Sequence, residues 1–318
     1  MRTAYRVALL GSALTAGTFL ASAPASAACP AGTTVNLNDS HICTANVTTT
    51  DTTGNLATDR NATFAAAGVP TYLTINNGVT VDGFGAAWTQ SDAGTNLSTV
   101  TNNGAIQINA GNTATQGGSA ALNITSNNAP VLYQGNGTIT NLSTTGSGLR
   151  IDGLGTGSLT ANIGGNVSNS SGSFAVLLFN TGTAGNVTAT TASGTTIRSG
   201  GGGVAALINN AANAGNVSLT NNATIASPTG APNTISSGVR GLTSGLGSVT
   251  VVNNGAIGSA GDRTQLGGVE ARITNVASTA AVNASGTGAI FTVGNGIEAE
   301  NRGTGTTTVN YSGPINTT

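Results

Sequence analysis

Charge is the scarcest property of this chain. Only 6% of its 318 residues are Asp, Glu, Lys or Arg, all nine basic residues are Arg, and the formal net charge is −1. A surface so thinly charged offers no basic patch for gripping nucleic acid. There is one histidine, His41, which excludes a His-dependent catalytic triad and a multi-His metal site. Aromatics make up 3% of the residues. That is too few for the girdles of an outer-membrane barrel or the recurrent rings of propeller blades. After Leu20 no long apolar run occurs, so no membrane-spanning helix is expected in the rest of the chain. Charge-driven disorder is excluded as well, because it pairs low hydrophobicity with high net charge. What remains is rich in Gly, Ala, Thr, Asn and Ser, with scattered Val, Ile and Leu. Such a chain can stack many thin layers sealed by small and β-branched side chains.

The first 27 residues read as a secretory signal peptide. Arg2 and Arg6 precede an apolar run from Val7 to Leu20, followed by Ala25-Ser26-Ala27, the basic, apolar, small-x-small order of an export signal. Cleavage after Ala27 is expected. Lipidation at Cys29 is the alternative, although Ser26 stands where a lipobox carries Leu. Residues 28–70 are expected to form an entry or cap region. In an exported chain the close pair Cys29 and Cys43 is expected to form a disulfide, contributing about 3 kcal/mol on the chain-entropy model. Two unpaired thiols are the other reading.

From about residue 71 to 318 the chain repeats. Asn76-Asn77-Gly78-Val79, Asn102-Asn103-Gly104-Ala105-Ile106 and Asn253-Asn254-Gly255-Ala256-Ile257 are copies of one piece. In the second half each unit has three pieces. The first begins at Leu149, Phe174, Val204, Val239, Val269 and Ile297. The second centres on Leu159, Val187, Val217, Val249, Val282 and Thr307. The third ends on Val167, Ile197, Ile225, Ile257, Ile290 and Ile315. Within a piece, polar and apolar residues alternate, as in Val269-Glu270-Ala271-Arg272-Ile273, so each piece is a strand with alternate side chains inward. Asn-Gly is expected to supply the positive φ of a corner. Three short strands per repeating unit predict an all-β fold, a right-handed parallel β-helix of the pectin-lyase-like kind. Nine third-strand residues from Val79 to Ile315 imply a rod of about 43 Å at the ~4.8 Å spacing of strands. Stacked Asn at one corner can bond along the axis.

The order of signal peptide, then Gly/Asn/Thr-rich units carrying "TNNGAI", "TNNATI" and "VNNGAI", resembles the passenger region of bacterial autotransporters (type V secretion) over roughly residues 70–318. The resemblance implies export, display at the cell surface or outer membrane, and a C-terminal outer-membrane β-barrel in the full-length protein. The chain is therefore expected to be truncated at its C-terminus. Expected partners are a host or neighbouring cell surface, or a second copy of the protein.

Candidate chemistry is sparse, and no catalytic, cofactor or metal site is expected. The tightest cluster of carboxylates is Glu298 and Glu300, with Glu270 one unit earlier. In register, Arg240, Glu270 and Glu298 face outward in successive units, as do Arg272 and Glu300. This is either a surface charge ladder, pairing Arg240 with Glu270 and Arg272 with Glu300, or the acid/base centre of a polysaccharide lyase or hydrolase. The neighbouring Arg side chains keep these carboxylates ionised, which favours the ladder. A free-standing surface-layer solenoid is the remaining non-enzymatic reading. Gly200 to Gly203 reads as a flexible corner, and Asp152-Gly153 as a turn. Leu177, Leu207 and Leu242 are expected in one outward column, an apolar stripe available for contact or covered by a loop at 226–237.

Overall fold

The computed structural model describes residues 71–78, 80–82, 86–90, 97–108 and 120–317, together with short strands at 34–35, 40–43, 47–48 and 61–64. The expected signal peptide and Cys29 lie outside the described residues, and so does any Cys29–Cys43 bond.

The described residues form a parallel β-solenoid without helix. Two sheets contain ten strands each, and a third contains seven plus a separate pair. Every strand-to-strand pairing is parallel and joins one unit of the repeat to the next. The period-two alternation accounts for this. In Val249–Asn253 the burial alternates strictly, with Val249, Val251 and Asn253 inside. The inward residues stack into columns, which run Leu149, Val176, Val204, Val239, Val269 and Ile297 on the first sheet. Leu159, Val187, Val217, Val249, Val282 and Thr307 form the column of the second. On the third, Val167, Ile197 and Ile225 continue through Ile257 and Ile290 to Ile315. Each fully buried Val, Ile or Leu contributes about 1.5–3 kcal/mol, and each is buried only because a neighbouring rung covers it.

Four details differ from the sequence reading. Val176, not Phe174, stands in the first-sheet column, because the corner before it is two residues longer. Val79 lies outside the described residues, and Val81 is the residue paired with Ile106. A further strand at Val47–Thr48 pairs with Thr80–Asp82, so the ladder reaches below residue 71. Asp152 and Gly153 end a seven-residue strand, Ser147–Gly153, and do not form a turn.

The corner glycines also work differently. Gly78 has the expected positive φ of 80°. Gly255 does not; its rung lies so close to the one below that a Cβ would overlap the carbonyl of Ala223. The run Gly200 to Gly203 is packed: Gly202 and Gly203 are buried in strand Gly202–Ile208, and the ring of Phe174 occupies the space where a Gly202 side chain would stand.

The sequence reading missed a glycine column. Gly148, Gly203, Gly238, Gly268 and Gly296 each precede the first inward residue of a first-sheet strand. Opposite them sit the third-strand side chains: Cγ2 of Ile225 lies 2.6 Å from where a Gly203 Cβ would be, and Cγ2 of Ile257 stands equally close at Gly238. The missing side chain lets the third sheet's isoleucines fill the corner. The signal was present as Gly immediately before Leu149, Val204, Val239, Val269 and Ile297.

Candidate functional site

The outward face of the first sheet gathers the residues singled out from sequence. Its alternation produces two outward columns. One runs Arg150, Leu177, Ala205, Arg240, Glu270, Glu298. The other runs Asp152, Phe179, Leu207, Leu242, Arg272, Glu300. Both pass from ionic to apolar and back to ionic.

At one end Arg150 Nε lies 2.8 Å from the Asp152 carboxylate, two residues along the same strand. Burial pushes the Asp152 carboxyl above its ordinary value, against the hydrogen bond and charge of Arg150. The register explains the burial, since Phe179 and Leu177 stand directly beside this pair.

At the other end six charged side chains form one network. Arg240 Nε donates to Glu270 at 2.6 Å, and Arg272 Nη2 reaches Glu300 at 2.6 Å, which are the two rung-to-rung pairs expected. Arg272 Nη1 also approaches Glu270 at 3.3 Å and Glu298 at 3.7 Å. Arg302, which the sequence reading missed, donates from Nε to Glu300 at 2.6 Å. The hydrogen bond from Arg302 and the charges of Arg272 and Arg302 hold the Glu300 carboxyl below its ordinary value, despite some desolvation. Burial disfavours the Arg272 cation, but its hydrogen bond to Glu270 and the charges of Glu300, Glu270 and Glu298 more than compensate. Arg272 Nε is buried without a partner. The guanidinium of Arg240 also lies 5.4 Å from the centre of the Phe174 ring, within the range of a cation–π contact.

Between the two ionic ends lies the apolar patch, with a different composition from the expected one. Leu207 and Leu242 are neighbours in one column, but the residue that precedes them there is Phe179. Leu177 is in the other column, beside Ala205. The two-residue insertion at Phe174 moved Leu177 one outward position along while leaving it outward. All four side chains are half-buried. The 226–237 loop is tied toward the third sheet: Asp262 accepts from the backbone N–H groups of Ser227 and Asn233 at 2.9 Å each, and Arg198 donates to the Ser227 carbonyl at 3.0 Å. Burial raises the Asp262 carboxyl, but the hydrogen bonds from Ser227 and Asn233, with Arg198 nearby, hold it below its usual value.

As chemistry, the ionic ends form closed pairs. Each of Asp152, Glu270, Glu298 and Glu300 has an Arg nitrogen within 4.0 Å. Among the described residues no three His, Cys, Asp or Glu side chains are placed to hold a metal ion, and no helix is long and apolar enough to cross a membrane. The chain matches no family model, no curated protein and no solved structure.

Proposed function

We propose that the protein is an exported, non-enzymatic solenoid displayed at a bacterial cell surface, an adhesive or self-associating passenger of the autotransporter kind. The observation that carries this reading is the pairing of Glu270, Glu298 and Glu300 with Arg240, Arg272 and Arg302 on an otherwise weakly charged rod. A general acid needs a carboxyl held protonated near neutrality, and Glu300 is displaced the other way. On this reading what the rod offers is a long repeated surface. Its low charge and thin layers also suit a chain that crosses a membrane unfolded and then folds rung by rung.

The test is expression of the gene's complete reading frame in a Gram-negative host. The expected result is a mature N-terminus at Ala28, cleavage by protease added to intact cells, and faster settling of standing cultures. Protein that stays in the cytoplasm with Met1 to Ala27 attached would overturn the reading. So would release of reducing or unsaturated ends from a polysaccharide that stops when Glu270, Glu298 and Glu300 are all changed to Gln.

A further inference from the structure

Where the second sheet turns into the third, a trough of about 440 Å³ runs across the rungs, a volume in the ordinary range of small-ligand sites. Its origin is a break in a ladder. Second-sheet strands end at Asn102, Gly135, Ile163, Thr191, Asn221 and Asn253. The residues that follow them are Asn103, Asn136, Gly164, Ala192, Asn222 and Asn254. Asparagine holds the corner at both ends of this series, and two residues with almost no side chain stand in the middle. At Gly164 the Asn136 side chain turns inward, its Oδ1 standing where a Cβ would be, and at Ala192 no long side chain reaches over the corner; the trough lies along this stretch.

One wall is the outward column Thr101, Gln134, Asn162 and Thr190, in register on successive rungs. Asn103 and Asn136 close one end, and Asn222 the other. Among the described residues no charged or aromatic side chain lines it. Asn222 is bonded within the ladder: it donates to the Thr191 carbonyl at 2.9 Å and accepts from Asn254 at 3.0 Å. Asn103, Asn136 and Asn162 are exposed, and their amides make no hydrogen bond to any described residue. Asn103 and Asn136 at the corner and Asn162 on the adjoining strand thus border the trough with their amides.

We propose that this trough binds a neutral glycan chain. A primary amide presents a donor and an acceptor side by side, and a Thr hydroxyl is both at once, which suits the adjacent hydroxyls of a sugar ring. An anionic or cationic ligand would lose its hydration with no opposite charge to meet it. The same groups recur at the ~4.8 Å rung spacing, so a polymer of repeating sugar units is served better than a single compact molecule. This inference does not depend on where the protein is displayed and is tested on the purified chain.

The experiment is affinity electrophoresis of the folded protein in native gels containing dextran, laminarin, galactomannan or hydroxyethylcellulose, with polygalacturonate as the charged comparison. Retardation by at least one neutral polymer is expected. Ala192→Asn, which continues the ladder into the trough, is expected to weaken it at least tenfold. Asn136→Ala with Asn162→Ala is expected to do the same, and Thr250→Ala, farther along the same sheet, to leave it unchanged. Circular dichroism establishes that each variant is folded. Absence of retardation by all four neutral polymers overturns the proposal, as does retardation only by polygalacturonate or retardation indifferent to the trough variants.

Discussion

The hydroxyl of Tyr311 lies 2.8 Å from Nδ2 of Asn253, although the strand Val282–Gly286 runs between their two rungs. Gly286 makes this contact possible. It occupies the intervening position, has φ 145°, and leaves no side chain between the amide and the ring. The contact ends a directed chain of buried donors. Thr191 Oγ1 donates to Asn221 Oδ1 at 2.8 Å, Asn221 Nδ2 to Asn253 Oδ1 at 2.8 Å, Asn253 Nδ2 to Tyr311, and the Tyr311 hydroxyl to the Gly288 carbonyl at 2.6 Å.

Cutting this chain in the middle should cost more than cutting it at its end. Asn221→Ala leaves the Thr191 hydroxyl without its acceptor and the Asn253 side-chain oxygen without its donor in a dry corner, so a loss of about 2–4 kcal/mol is expected. Tyr311→Phe leaves only the half-buried end unpaired and should cost about 1 kcal/mol. Urea unfolding of the two variants measures both, and equal losses would contradict a connected ladder.

The glycine column makes a contrasting pair of substitutions. Gly238→Val places methyl groups against Cγ2 of Ile257 and the carbonyl of Gly268, and overpacking of this kind should cost about 2 kcal/mol or more. Gly172→Ala meets nothing within 4 Å at a φ outside the positive region, and it should be neutral or stabilising by up to about 1 kcal/mol. Thermal melts of the two proteins separate the cases.

Arg272 holds three carboxylates, so its removal leaves Glu270, Glu298 and Glu300 facing one another. Arg272→Ala should lower stability by about 1–2 kcal/mol at pH 7, given the partial exposure of the network. Its cost should shrink on acidification, as Glu300 loses the charge that Arg272 pairs. In the wild type the lowered Glu300 carboxyl contributes stability that is present above its unfolded pKa and is lost as the pH falls through the folded value. Stability measured from pH 3 to 7 for both proteins checks the sign; a penalty that grows on acidification would refute it.

Tyr133 is fully buried between the sheets, and burial pushes its phenol up to about 12, against the hydrogen bond of Asn102. The unfolded chain releases this proton near pH 10, before the folded one does. The contribution is therefore intact below about pH 10 and is lost between about pH 10 and 12, a change of roughly 3 kcal/mol. Tyr133→Phe should flatten that part of the stability profile. Phenolate absorbance should show this ring titrating only with unfolding.

Much of the fold could be read from the chain itself. The order of strands, most inward residues of the three sheets and the pairs Arg240–Glu270 and Arg272–Glu300 follow from one fact: alternate residues of a strand face opposite sides. Register between rungs is a weaker inference, because that alternation has period two. A slip of one residue would turn every side chain over and is forbidden by the core. A slip of two changes no facing and leaves no trace in the pattern. The pattern therefore admits Phe174 in the first-sheet column that Val176 occupies, and Leu177 in the column that belongs to Phe179. Only the tertiary packing, with Phe174 over Gly202 and Val176 beside Leu149, decides between the two. The trough at Gly164 and Ala192 is likewise a property of the stack. A glycine and an alanine 28 residues apart mean nothing along the chain, and they line one trough only when parallel rungs bring them together at one corner.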